Sequence, residues 1–187
     1  MDRTNRQGQT AVTDPQVMDR LREEVRRHPR KMTSQLAREY GVPEVEVIRA
    51  FPGDRAAELD VARWEDLLRS FEALGPVRVL VSSGAATMEV VGRFGGFSTT
   101  GEFFNVQTDS LDLHIRWREL AAAFAVEKPG HLGGPATYSV QIFDRAGAAA
   151  LKVFLNFGEP ISAERLGLFR QLRGQFRATP GLGGTPP

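Results

Sequence analysis

The spacing of apolar residues switches at Val77 and returns to its first period only in a closing stretch near the C-terminus. Upstream of it they recur every three or four positions, the period of a helix. Downstream they alternate, the period of a strand. A chain with that order does not build repeated βαβ units. It must lay helices from its first part against a sheet from its second.

The helical half reads in four runs. Residues 15–28 carry Val17, Met18, Leu21 and Val25 on one stripe, and Pro29 ends the run. Residues 33–40 carry Leu36 and Tyr40 and stop at Gly41; Pro43 then opens a helix over 43–51 with Val45, Val47, Ile48 and Phe51. Pro52-Gly53-Asp54 is a turn. Asp60 is a suitable N-cap for a helix reaching residue 73, with Trp64, Leu67, Leu68 and Phe71 on one stripe and Gly75-Pro76 closing it.

The second half predicts strands at 77–82, 86–92, 101–107, 111–117, 119–127, 137–143 and 149–155. The stretch 111–117 alternates most cleanly: Leu111, Leu113, Ile115 and Trp117 point one way, Asp112, His114 and Arg116 the other. Asp144-Arg145-Ala146-Gly147 is a hairpin turn. A closing helix over 162–176 starts at Ser162 and carries Leu166, Phe169, Leu172 and Phe176. Short links between strands favour antiparallel pairing. The expected class is α+β: N-terminal helices, a meandering antiparallel β-sheet and a C-terminal helix, as one domain over 15–178 (15–75 helical, 76–178 sheet and closing helix). The polar residues 1–14 and the Pro/Gly-rich 179–187 are expected to be flexible.

Composition removes several classes of function. There is no cysteine, which excludes disulfides, thiolate metal sites and a thiol nucleophile, and suits a reducing cytoplasm. A net charge of +1 provides no global field toward nucleic acid or membrane. No apolar run is long enough to span a bilayer, and the N-terminal residues lack the apolar stretch of an export signal. The expected location is therefore cytoplasmic.

Local motifs are weak. The basic stretch 26–31, RRHPRK, follows Asp19, Glu23 and Glu24 and reads as a solvated helix end. The pair of short helices over 35–51 has the shape of a helix-turn-helix, but its second helix carries Glu44 and Glu46 against a lone Arg49. Such a helix would repel phosphate, so a packing role is preferred and nucleic acid is not an expected partner. No G-x-S-x-G, H-E-x-x-H or phosphate-loop pattern occurs, and Gly92-Arg93-Phe94-Gly95-Gly96 lies between strands with no helix after it. Of the histidines, His28 sits at a helix end and His131 in a glycine-rich loop; His114 is mid-strand, between Asp112 and Arg116 on one face.

Taken in order, several pieces add up. They are QLAREYGVPEVEVIRAF, Trp64-Glu65-Asp66-Leu67-Leu68, LGPVRVLV, ATMEVVG, FFNVQTDSLDLHIRW, AAAFAVEKP and YSVQIFDRAGAAALKVFL. From about residue 15 to 176 the chain resembles the cytoplasmic haem-utilisation family of HemS-, ChuX- and HutX-type domains. The resemblance implies haem as ligand, intracellular haem carriage or iron utilisation, and a homodimer. It also implies haem breakdown as an alternative activity, and a regulatory or interaction protein on the same scaffold as another.

Haem is a flat apolar ring with carboxylates on one edge and an iron at its centre. A site must offer apolar surface, cations and an axial base. His114-Ile115-Arg116 matches a strand motif of single-domain members, making His114 the candidate iron ligand and Arg116 a carboxylate partner. Asp112 is expected to orient the imidazole through its other nitrogen. Lys152 is a further candidate for the carboxylates. Where some members carry histidine, this chain reads Ser82 and Val90.

Overall fold

A computed structural model describes residues 13–179. The expected flexible ends fall almost wholly outside that range; of the residues inside it, Asp14 accepts a hydrogen bond from the Gln16 amide and caps the first helix.

Helix α1 (Pro15–Arg27) buries Met18, Leu21 and Val25; α2 (Thr33–Tyr40) buries Leu36 and ends on Gly41 in the left-handed region; α3 (Glu44–Arg49) buries Val45, Val47 and Ile48. These three helices form one core cluster with Ala122, Phe124, Val126 and Phe143 of the sheet, where the Phe124 and Phe143 rings meet edge to face. The helix-turn-helix-like pair is thus a packing unit on the sheet.

The strands differ from expectation in one important way. All pairs are antiparallel, but they form two sheets rather than one meander. With β1 (Ala56–Leu59), β2 (Pro76–Ser82), β3 (Thr87–Arg93), β7 (Leu120–Lys128), β8 (Thr137–Asp144) and β9 (Ala149–Phe154), the large sheet has the order β1-β7-β8-β9-β2-β3. The small sheet has the order β4-β5-β6, from β4 (Phe97–Thr100), β5 (Phe103–Gln107) and β6 (Asp112–Arg116). Strands β1 and β4 escape the sequence reading. Each has four residues, and Ala-Ala-Glu-Leu and Phe-Ser-Thr-Thr carry little alternation. The helix expected over 60–73 is α4 (Trp64–Ser70) between two 3-10 turns, the first capped by Asp60.

The chain crosses from the large sheet to the small one through Phe94-Gly95-Gly96. Gly96 has φ 62°, and a Cβ there would stand 1.9 Å from the Gln107 carbonyl oxygen, so no other residue fits. The main core lies between the far face of the large sheet and the inner face of the small one. It is closed by α4 and by α5 (Ala163–Gln175), which is capped by Ser162 as predicted. Phe71, Phe94, Phe104, Phe169 and Phe176 are fully buried there.

Candidate functional site

Strand β6 pairs only with β5, and its residues alternate as the sequence requires. Ile115 is buried, while Asp112, His114 and Arg116 face outward. Cross-strand register puts Asn105 opposite His114, Phe103 opposite Arg116 and Gln107 opposite Asp112. The face therefore carries His114 among Asn105, Ser98, Thr100, Gln107 and Asp112, with the Phe103 ring edge-on to the imidazole.

Asn105 sets the state of this histidine. Its amide nitrogen donates to Ser98 Oγ at 3.1 Å and to Thr100 Oγ1 at 3.3 Å, which aims Oδ1 at His114 Nδ1, 2.7 Å away. The imidazole then carries its proton on Nδ1 and presents a lone pair at Nε2, the form in which it ligates a metal. The orienting role expected of Asp112 belongs to Asn105. Asp112 Oδ1 instead stands 3.5 Å from Nε2, on the nitrogen that would face a ligand. Arg116 lies over the Phe103 ring, with Glu102 3.8 Å from its Nε.

The surface around His114 is mostly polar. Of the apolar residues of these strands, Phe97, Phe104, Val106, Leu113 and Ile115 turn to the main core, and Phe103 lies on the outer face beside His114. No apolar slot is formed on this face by one chain's β4, β5 and β6.

Lys152 lies elsewhere. It sits on β9, on the face of the large sheet that meets α1, α2 and α3, and is 8% exposed. Its Nζ donates to Glu44 Oε1 at 2.6 Å, with Thr33 Oγ1 at 3.4 Å. The whole main core separates it from His114, so the structure does not bring the two candidates together.

On the face that carries Lys152 the structure also places Lys128, with Arg30 near it, two cations that the sequence reading missed. Lys128 stands on the same sheet face as Lys152. Burial, together with the positive charges of Arg30 and Lys152, lowers its pKa to about 8. Arg30 is tied by its guanidinium to the Gly130 carbonyl at 2.7 Å. Among the described residues Lys128 has no carboxylate within ion-pair reach, and Glu44 alone pairs with Lys152. Lys31 is taken up by Glu24 and Glu39. The signal for Lys128 was present in the strand: Phe124, Val126 and Lys128 alternate on one face, so a lysine continues an apolar row. Next to Lys152 is Gln141, buried, with Oε1 lacking a partner.

Beyond Lys152 the same face continues across β2 and β3, past the cover of the helices. Leu80 stands opposite Lys152, Arg78 opposite Phe154, and Val91 opposite Arg78. Leu80 and Phe154 are half-buried, and Val91 is 49% exposed. This is a partly open apolar shelf beside a cationic cluster. Its polar rim includes Arg78 paired with Glu89 at 3.4 Å. His131 lies near the cluster, its Nδ1 3.5 Å from the Arg30 carbonyl, while His28 ends α1 at the surface.

Residues 41–173 match the family model of the haemin-degrading HemS.ChuX domain, well over half of the chain. The chain belongs to that family. Its curated relatives include the intracellular haem transport protein HutX of Vibrio cholerae, 21% identical over 169 residues, which are 86% of each chain. Among solved structures, the haem-binding protein ChuX superposes with a TM-score of 0.73 at 21% identity, covering 83% of this chain and 97% of ChuX. Holo-PhuS, a haem-binding protein of Pseudomonas aeruginosa, gives 0.70 at 23% identity, covering 94% of this chain and 51% of PhuS. The HemS/ChuX likeness to these structures is one of fold. Within this HemS/ChuX domain, Val90 turns to the main core, whereas its neighbour Val91 faces the shelf. Ser82 is exposed at the β2–β3 turn, its hydroxyl bonded to the Ala86 carbonyl.

Proposed function

We propose that this protein binds haem and carries it inside the cell. The observation that carries the proposal is that Lys128 and Lys152 share one face of the large sheet with Leu80, Phe154 and Val91. Haem needs apolar surface for its ring and cations for its edge, and both lie on this one sheet face. Among the described residues, Arg30, Arg78, Lys128 and Lys152 stand on or beside this face against the carboxylates Glu44 and Glu89, so positive charge is in excess there. The family membership and the haem-transport description of HutX support the same ligand. Among the described residues no helix is long and apolar enough to cross a membrane, which is compatible with intracellular carriage.

A second reading keeps His114 as axial ligand, with Arg116 on the carboxylates. It is favoured by Asn105, whose Oδ1 lies 2.7 Å from His114 Nδ1 and accepts a hydrogen bond there, so that Nε2 is the nitrogen turned outward. Since this face offers little apolar surface besides Phe103, a second copy of the chain would have to close a slot over it, and a homodimer belongs to this reading.

A haemin titration followed by the Soret band, with size-exclusion chromatography of the product, decides between them. Wild-type protein is expected to bind haemin. Lys128→Met and Lys152→Met are expected to weaken binding and His114→Ala to leave it unchanged. Loss of the Soret shift in His114→Ala alone, with haemin-dependent dimerisation, would move the site to the small sheet. No shift with wild type would remove haem as the ligand.

A further inference from the structure

The loop between β7 and β8 presents Leu132, 91% exposed, at φ 52°. That is the left-handed region, which a leucine occupies only at a cost in free energy that glycine escapes. Glycine stands on either side, at 130, 133 and 134, yet the left-handed apolar position between them is filled by leucine. The loop is pinched at its base and tied down. A Cβ on Gly130 would stand 2.1 Å from the Pro135 carbonyl oxygen, so only glycine lets the two ends close. Arg30 donates to the Gly130 carbonyl at 2.7 Å, and His131 Nδ1 lies 3.5 Å from the Arg30 carbonyl. These contacts fix the loop to the link between α1 and α2, where Met32 is 47% exposed. The same link ends the basic stretch 26–31. The acids around it are already taken: Asp19 by Arg22, Glu23 by Arg27, and Glu24 with Glu39 by Lys31. Among the described residues Arg26 and Arg30 have no carboxylate within ion-pair reach.

We propose that this corner of the molecule docks reversibly on an anionic lipid surface, with the Leu132 side chain in the headgroup layer and Arg26 and Arg30 on lipid phosphates. The net charge of the chain supplies no global attraction, but the uncompensated cations beside the loop supply a local one. An apolar side chain held out from a tied loop, rather than a groove, suits a lipid surface, which accepts a protruding group without a matched pocket. The strain at Leu132 fits the same role: contacts within the chain do not offset it, and burial among lipids does. The proposal concerns where the protein sits and not what it carries, so it stands apart from the haem reading.

The test is co-sedimentation of the full chain with vesicles of phosphatidylcholine alone and of phosphatidylcholine mixed with phosphatidylglycerol. Wild type is expected to bind the mixed vesicles with an association constant on the order of 10⁴ M⁻¹, the strength of a single acyl anchor, and neutral vesicles about tenfold or more weakly. Added salt is expected to release it. Leu132→Gly, which keeps the left-handed backbone without strain, is expected to weaken binding to mixed vesicles on the order of tenfold while thermal unfolding stays close to wild type. Arg26→Gln, which leaves the loop contacts intact, is expected to weaken it about fivefold. The proposal is overturned if wild type ignores mixed vesicles at low salt, if it binds neutral ones as tightly, or if either variant binds as wild type does. Binding to soluble polyglutamate with no binding to vesicles also overturns it, in favour of an acidic protein partner.

Discussion

Lys152 stands directly opposite Leu80 across the β9–β2 ladder, so a buried ammonium and an apolar shelf share one face of the large sheet. That relationship, and not the exposed imidazole on the small sheet, sets the expectations below.

Lys128 is held in its folded position at a cost. Its pKa is lowered to about 8 from an ordinary 10.5, so between those values the unfolded chain binds more protons than the folded one. Stability should rise with pH through that window and be lowest below about pH 8. Lys128→Met should stabilise the protein by roughly 1 kcal/mol at pH 7, a figure discounted for partial solvent screening. The gain should vanish above pH 10.5. Urea unfolding at pH 7 and pH 10.5 measures it; equal gains at both would show that charge is not the cause.

Ligand binding should have the opposite sign of pH dependence. A carboxylate placed beside Lys128 favours its charged form, so binding at pH 9 should take up a proton. Haemin affinity should decline as pH rises through about 8, and the decline should be absent in Lys128→Met. Isothermal titration in buffers of different ionisation enthalpy counts the protons.

Val91 and Val90 offer a paired substitution. Val91→His would place an imidazole on the open shelf, and Val90→His would place one against the main core. The first should give a sharper, red-shifted Soret band with haemin and little loss of stability. The second should cost about 2 kcal/mol or more, because it buries a polar ring without a partner. A reversed pattern would show that the shelf is not where the ring lies.

Asn105→Leu should leave the Ser98 and Thr100 hydroxyls and His114 Nδ1 without their shared partner. The expected loss is roughly 1–2 kcal/mol of stability. Nitrogen chemical shifts of the His114 ring should show its fixed tautomer giving way to a mixture. An unchanged tautomer would assign the orientation to Asp112 after all.

Much of the architecture was legible because single residues enforce it. Gly41, Asp60 and Ser162 mark element ends through side-chain caps or a left-handed backbone, and these are local effects that a sequence displays, whereas the cap at Asp14 fell in a segment expected to be flexible. The outward set Asp112, His114 and Arg116 followed from strand alternation alone. Partner choice among strands was not legible. Every strand pairs antiparallel, but nothing local says that β9 pairs with β2 as well as with β8. The site suffers from the same limit. Arg30, Lys128 and Lys152 are far apart in sequence, and only the pairing order makes them neighbours. Lys152 was legible as a candidate for carboxylates, but that α2 and α3 cover it was not, because the cover comes from residues more than a hundred positions away.

The insertion of β9 between β8 and β2 also governs timing during synthesis. Strand β2 leaves the ribosome some seventy residues before its neighbour does. Until that last hairpin emerges, the floor beneath Leu80 and Arg78 has no adjoining strand and Glu44 has no lysine to hold. The face that carries Leu80, Arg78 and Lys152 is therefore completed by nearly the last secondary-structure element made.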